Sequence, residues 1–160
     1  MQGRHGSHAA GEERHYRMLG LMLVLSFISM YVLMYSMVNS LQNVYMSVNQ
    51  VYMAGLMAAP MGLIELALMR GMYPDRKINA VVTALSLAAL LAFWFMIRQQ
   101  TAVTDRQFLR SMIPHHAGAI LMCEEAAIQD AEVKSLCQEI ISSQQREIAQ
   151  MKAKLASLDR

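Results

Sequence analysis

Charged residues are scarce in this sequence, and their scarcity excludes several classes of protein. Of its 160 residues, only 16% are Asp, Glu, Lys or Arg, whereas 55% are hydrophobic. A chain this apolar does not remain disordered, and it carries too little charge for an ordinary soluble domain. The formal net charge is only +2, which gives no reason to expect nucleic acid or an acidic substrate as a partner.

Cysteine, proline and glycine are also infrequent. The 3 Pro and 8 Gly argue against an all-β chain with many turns, and the 2 Cys are too few for a disulfide scaffold. Methionine, in contrast, is abundant, with 16 copies. This content indicates either that Met fills contacts between helices or that the protein binds a soft metal, because a thioether serves both purposes.

Three long apolar runs predict three membrane-spanning helices. The run from Met18 to Val38 has no charge and would form a helix about 31 Å long, enough to cross a bilayer. No small-residue cleavage pattern follows it, so a retained anchor is expected rather than a signal peptide. The second run, 51–69, contains Pro60 and Glu65, and the third, 78–97, ends in three aromatic residues typical of a membrane interface.

Basic residues set the predicted orientation in the membrane. Segments 1–17 and 70–77 contain Arg and Lys, whereas segment 39–50 contains none, so the first two are expected to be cytoplasmic. Three spans then place the C-terminal part in the periplasm or its equivalent, outside a bacterial inner (plasma) membrane. The predicted division is a cytoplasmic His-containing tail (1–17), a three-helix transmembrane region (18–97) and an exported hairpin domain (98–160).

The exported part is predicted to be an antiparallel helical hairpin, so the whole chain is expected to be all-α. Asp105 is the expected N-cap of the first helix and Asp130 that of the second, with a tight turn between them. Both helices carry apolar seams that step by three and four residues. A single register pairs Cys123 with Cys137, Ile120 with Ile141, His116 with Gln144, Ile113 with Ile148 and Leu109 with Met151.

This register brings together two cysteines and one polar level. Cys123 and Cys137 face each other and would form either a disulfide, on the oxidising side of the membrane, or a pair of buried thiols. His115, His116 and Gln144 fall at one level of an otherwise apolar hairpin.

Imidazoles and thioethers in one place suit Cu(I) or Ag(I). Met112 lies one turn before His115, and Met151 lies on the second helix. A di-iron centre would need Glu-x-x-His motifs and several inward carboxylates, and Met is a poor zinc ligand. The alternative is a kinked helix, bent at Pro114, with two hydrogen-bonded polar side chains.

The hairpin resembles a known family. The stretches FLRSMIPHHAGAILMCEEA (108–126) and IISSQQREIAQM (140–151) are similar to the ferritin-like domain of unknown function 305, in its Met-Ile-Pro-His-His and Gln-x-x-Glu-Ile-x-x-Met motifs. The likeness covers the C-terminal third of the chain, and membrane-bound members also carry three N-terminal spans. The matching residues are Met112, Pro114, His115, His116, Gln144, Glu147 and Met151.

The resemblance implies an exported helical domain, relatives linked to copper binding and copper tolerance, and no enzymatic activity. Ala117 departs from the common pattern, in which Gln follows the His pair. Beyond Arg98 the chain has Met112, Met122 and Met151 and no other Met, so a single site, or one shared between chains, is expected rather than a copper store.

Other residues in the predicted membrane region offer weaker signals. Met53, Met57, Met61 and Met69 form a stripe with Glu65 on the second span, for which helix packing is favoured over a path for Cu(I). Glu65 is a functional candidate because an intramembrane carboxylate is costly, although a bond to Asn79 or Tyr73 would also account for it. The N-terminal histidines are expected to be solvated.

Taken together, the sequence predicts a membrane-anchored Cu(I)- or Ag(I)-binding protein, with Met112, His115, His116 and Met151 as ligands and Gln144 and Glu147 behind them. No Ser-His-Asp set or phosphate loop is present, so no enzyme and no organic cofactor are expected. The competing hypothesis is an assembly module that docks on itself or on another membrane or periplasmic protein. Dimerisation would complete a four-helix bundle, because the hairpin has a second apolar seam to cover.

Overall fold

The computed structural model describes residues 4–159 of the chain, with side chains from Glu13 onwards. Within this range there are helices and no strand, which confirms the all-α prediction. The α-helices are α1 (Arg4–Leu33), α2 (Val48–Leu68), α3 (Arg76–Gln99), α4 (Asp105–Glu125) and α5 (Ala131–Leu158). Short 3₁₀ turns cover Met34–Met37, Leu41–Asn43 and Arg70–Met72.

The three predicted spans coincide with helices that are long and apolar enough to cross a membrane. These segments are Glu13–Met37, Val48–Leu68 and Arg76–Gln99. The first helix differs at both ends from the apolar run, since α1 begins at Arg4 and gives way to 3₁₀ geometry after Leu33. The chain then turns at Asn39 and Ser40, and the Ser40 hydroxyl accepts a hydrogen bond from the amide of Gln42 at 3.3 Å.

The chain forms two compact units. The first, here called the apolar unit, comprises the residues up to Tyr31 together with Tyr52–Gln99, and the second, the hairpin unit, comprises Val32–Val51 and the residues from Gln100 onwards. The hairpin unit therefore includes a segment that precedes two of the apolar helices in sequence. The predicted boundaries assigned that segment to the transmembrane region instead.

Small residues allow close helix packing in the apolar unit. Gly55 of α2 is buried against Phe93 of α3, and a Cβ atom at this position would overlap the phenyl ring. Gly62, two turns further along α2, would place a Cβ atom 2.7 Å from the Ser86 hydroxyl. Contacts of this kind suit helices in lipid, where association depends on close van der Waals packing.

In the hairpin unit, α4 and α5 pack antiparallel, as predicted. Asp130 is the N-cap of α5, because its carboxylate accepts hydrogen bonds from the amides of Glu132 (2.9 Å) and Val133 (3.0 Å). The prediction that Asp105 is the N-cap of α4 is wrong. Thr104 occupies the N-cap position, but its side chain makes no capping hydrogen bond. Asp105 is the first helical residue, where its negative charge interacts favourably with the helix dipole.

The core of the hairpin unit is the predicted seam between the two helices. Its buried residues include Ile113 and Ile120 of α4 and Ile148 and Leu155 of α5. Leu109, Ile141 and Met151 pack around them. A seam of this composition is stabilised mainly by the removal of apolar surface from water.

The segment 32–51 covers one side of α4. Val38 and Tyr45 pack against the core, and a Cβ atom on Gly118 would come within 3.3 Å of the Met37 carbonyl oxygen. Polar bonds hold the rest of the segment, since the amide of Val48 donates to Gln107 Oε1 at 3.0 Å and Asn49 Nδ2 donates to Ser111 Oγ at 3.3 Å. The hairpin unit therefore consists of three packed segments, which are α4, α5 and segment 32–51.

The close approach at Gly55 yields a test of packing in the apolar unit. We expect Gly55→Ala to lower the free energy of unfolding by about 1–3 kcal/mol, because the added methyl group must displace the Phe93 ring. Thermal unfolding in detergent measures the change, and the further substitution Phe93→Leu should recover much of the loss. Gly20→Ala in α1 is the matched control, since nothing lies within 4 Å of its added Cβ. Equal effects of the two Gly→Ala changes would contradict the packing.

Candidate metal site

A disulfide and the apolar seam fix the register of the hairpin. Cys123 of α4 and Cys137 of α5 are joined by a disulfide, with their Cα atoms 5.3 Å apart. Of the two alternatives for this pair, the structure therefore has the disulfide. At the end of the hairpin opposite the α4–α5 turn, the Arg106 guanidinium donates to the Leu158 carbonyl oxygen and lies 3.4 Å from the Asp159 carboxylate. The contacts at both ends agree with the predicted pairing.

His116 lies on the seam, about two turns from the disulfide. It is buried, with 8% of its surface exposed, because its position on α4 faces α5. Its Nδ1 atom is 3.2 Å from Glu147 Oε2, but the two atoms are not aligned for a hydrogen bond. The other oxygen of Glu147 accepts a hydrogen bond of 2.7 Å from the Ser143 hydroxyl. A buried imidazole nitrogen thus remains without a hydrogen-bond partner.

Burial determines the protonation of this histidine. Desolvation lowers the pKa of His116 below its ordinary value, and the neighbouring His115 lowers it further. The Glu147 carboxylate acts in the opposite direction but does not outweigh burial. His116 is therefore a neutral imidazole at pH 7, which is the form that ligates metals.

His115 is adjacent in sequence but differs in environment. It is exposed, and its ring centroid lies 6.2 Å from that of His116, with the ring planes at 61°. The two imidazoles therefore approach the same region from different directions, as expected of successive helical residues. Met112, one turn earlier on α4, is half-buried. On α5, Gln144 is half-buried.

Met151, the fourth predicted ligand, is at a different level. It packs against the apolar core near Leu109, with which the register pairs it. Met151 is seven residues beyond Gln144, a rise of about 10 Å along the helix. The structure thus brings His115, His116 and Glu147 together, and Met151 lies four residues beyond Glu147, about one turn along α5.

The donor set favours some metals over others. Among the described residues, no group of three or more His, Cys, Asp or Glu side chains is arranged to hold a metal ion. Both cysteines are in the disulfide and are unavailable as thiolate ligands. Two imidazoles and a neighbouring thioether remain, a set that fits Cu(I) or Ag(I) better than zinc or a di-iron centre.

Glu65, the predicted intramembrane carboxylate, is part of a polar cluster in the apolar unit. It accepts a hydrogen bond of 3.1 Å from the hydroxyl group of Tyr73, one of the two partners proposed for it. The other proposed partner, Asn79, instead donates to the Tyr73 carbonyl oxygen at 2.8 Å and accepts from the Tyr16 hydroxyl at 2.9 Å. Burial, followed by the bond to Glu65, raises the pKa of Tyr73. These bonds explain how the carboxylate is accommodated.

The methionine stripe of α2 does not pack within the chain along its whole length. Met53, Met57 and Met69 are each 40% exposed or more. Met61, between them, is half-buried. These exposures do not decide between helix packing and a Cu(I) path, so the preference for packing stays a prediction.

Two features of the hairpin unit escaped the sequence interpretation. Ser143, which orients Glu147, is recognisable only by its four-residue spacing from that acid. The sequence predicts residues 39–50 as a connection between two spans, whereas the structure packs segment 32–51 against α4. Its signal was a run of Asn, Ser and Gln residues without charge, two of which, Asn43 and Ser47, are buried.

Comparisons with known proteins extend the resemblance beyond the hairpin. The sequence profile of a domain of unknown function, DUF305, matches residues 36–155 and so includes the segment that packs on α4. An uncharacterized protein, L153, of Acanthamoeba polyphaga mimivirus is 31% identical over 137 residues, covering 84% of this chain and 88% of the viral protein. No solved structure matches the chain.

The disulfide should contribute substantially to the stability of the hairpin. The two cysteines are 14 residues apart in the sequence, and closing a loop of this length lowers the entropy of the unfolded chain. This effect stabilises the folded hairpin by about 3 kcal/mol. We expect reduction to lower hydrogen-exchange protection in α4 and α5 accordingly, while α3 is unaffected. The variant Cys123→Ser/Cys137→Ser should show low protection with or without reductant. Alkylation of free thiols in the unreduced wild-type protein would argue against the disulfide.

The depressed pKa of His116 predicts a dependence of stability on pH. Because the unfolded chain binds a proton on this residue more readily than the folded chain does, the stabilising contribution is present above the unfolded pKa of about 6.5. It is lost as the pH falls through that value towards the lower folded pKa. Hydrogen exchange of α4 in the metal-free protein, corrected for intrinsic rates, should show this loss between pH 7.5 and 5.5. His116→Gln should remove this part of the pH dependence, and an unchanged profile would contradict it.

Proposed function

This chain belongs to the DUF305 family, and we propose that it is a membrane-anchored, extracytoplasmic protein that binds Cu(I) or Ag(I) in copper handling or tolerance. His115 and His116 are the principal ligands, Met112 supplies a thioether from three residues before His115, and Met151 supplies a second thioether from α5. Gln144 and Glu147 support the imidazoles. The observation that carries the proposal is the buried imidazole of His116, whose Nδ1 makes no hydrogen bond, next to a second, exposed imidazole.

The electrostatics of the site are compatible with a soft monovalent cation. The lowered pKa of His116 keeps its ring neutral, so no proton has to be displaced before a metal binds. The Glu147 carboxylate, whose side chain is 43% exposed, places negative charge 3.2 Å from that ring. A carboxylate that accepts a hydrogen bond from the nitrogen not bound to the metal orients a ligating imidazole and increases its basicity, so Glu147 would act on Nδ1 and leave Nε2 to the metal. No catalytic step is proposed, since the site holds no activated nucleophile.

The proposed location rests on the apolar helices and on the disulfide. Three helices of sufficient length and apolar character provide an anchor in a membrane, for which we propose the bacterial inner membrane. The disulfide supports an oxidising compartment for the hairpin, because cytosolic thiols are kept reduced. The basic residues near Arg14 and Arg76 then face the cytoplasm.

A competitive Cu(I) titration of the detergent-solubilised protein against a chromogenic chelator tests the proposal. We expect tight binding near one ion per site, abolished by His115→Ala/His116→Ala and weakened about tenfold by Glu147→Gln. Met112→Leu should also weaken binding, because it removes a thioether while preserving volume. Circular dichroism and the intact disulfide verify the fold of each variant.

Met122→Leu is the matched control for the thioether. Met122 is on the same helix but lies away from the His pair, so its replacement should leave the affinity unchanged. If the double His variant binds Cu(I) as well as the wild-type protein does, the metal proposal is wrong.

One observation favours a second candidate function, assembly. Phe108 and Met122 of α4 and Leu136 of α5 are each more than half exposed, although they follow the helical spacing of a buried seam. In an assembly module the His pair would have a structural role, and function would survive its replacement. The titration variants therefore separate the two candidates.

A further inference from the structure

One side of the hairpin is covered and the opposite side is open. Segment 32–51 covers the side that contains Gly118 and Ala117, both of which are buried. On the opposite side, Phe108 is 51% exposed, Met122 56% and Leu136 54%. The chain thus supplies its own cover for one flank and leaves a second apolar flank without one among the described residues.

The open side is a continuous face contributed by both helices. Each of its residues immediately precedes a residue of the seam, as His115 precedes His116 and Leu136 precedes Cys137. In an antiparallel pair of right-handed helices, the residues that immediately precede seam residues lie on the same side of the pair in both helices. We define the open face by Phe108, His115, Met122, Leu136, Ile140 and Glu147.

Each helix contributes two apolar side chains and one polar side chain to this face, which makes the face self-complementary. Methionine and phenylalanine are contributed by α4 together with His115, and leucine and isoleucine by α5 together with Glu147. Glu147 is only half-buried, and one oxygen is already bonded to Ser143. Because donor and acceptor lie on different helices, a second copy can present each opposite the other.

We infer that the open face is a homodimer interface, in which α4 of each copy packs on α5 of the other around a twofold axis parallel to the helices. Residues at one level of the hairpin then meet, so that Met122 lies opposite the partner's Leu136 and His115 opposite the partner's Glu147. A perpendicular twofold axis would instead oppose α4 to α4 and place His115 against itself. The pairing of a donor with an acceptor favours the first arrangement, which completes a four-helix bundle. The inference does not depend on metal binding.

Sedimentation equilibrium of the metal-free, full-length protein in detergent tests the interface. Met122→Lys and Leu136→Glu should each raise the dimer dissociation constant at least about tenfold, because each buries a charge opposite an apolar side chain. The double variant Met122→Lys/Leu136→Glu should restore association to within a few fold of wild type, since opposite charges then meet across the interface. Leu41→Lys, at a residue 91% exposed outside the open face, should have no effect.

A second measurement does not require a destabilising substitution. A benzophenone amino acid in place of Met122 should cross-link to α5 of a second copy, whereas the same probe in place of Leu41 should not. The inference would be overturned by a monomeric wild-type protein, by association unaffected by Met122→Lys, or by cross-links to α4. It would also be overturned if the double variant dissociated as much as the single variants. Loss of the dimer with Cu(I) binding intact would separate this interface from the proposed metal function.

Discussion

The register of α4 against α5 is the constraint on which the rest of the hairpin unit depends. Apolar side chains on both helices fit in one alignment, with Ile113 and Ile120 fully enclosed between them. This alignment determines which residue faces the partner helix at each level. It directs His116 inward to Glu147 and leaves His115, one residue earlier, at the surface. A slip of one residue would exchange these environments and separate the two cysteines.

Much of this arrangement is present in the local sequence. The periodicity of the seam, the cap at Asp130 and the cysteine pairing are short-range signals, and all three predict the observed hairpin. The apolar runs predict the three long helices for the same reason, because length and composition suffice. The sequence does not decide the cap of α4, since both Thr104 and Asp105 can cap a helix and only the backbone geometry distinguishes them.

The features that sequence reasoning missed depend on long-range contacts. Segment 32–51 packs against helix α4, which follows it by more than 50 residues, through hydrogen bonds such as that of Val48 with Gln107. Its polar residues resemble those of an ordinary loop, and neither periodicity nor charge marks them for burial. The displacement of Met151 from the histidines is different, because it follows from the register itself. Met151 lies seven residues, about 10 Å along α5, beyond Gln144, with which the predicted register pairs His116, and four residues beyond Glu147, which contacts His116.

The same hairpin contains the buried imidazole for which we propose a metal and the open face for which we propose a second copy, and these two features impose different requirements on its sequence. The seam must remain tightly packed so that His116 stays desolvated and neutral. The open face must remain apolar while its histidine and glutamate stay accessible. Glu147 belongs to both, because it contacts His116 within the chain and lies on the exposed flank. Association through this face would therefore reduce solvent access to the carboxylate that supports the proposed ligand.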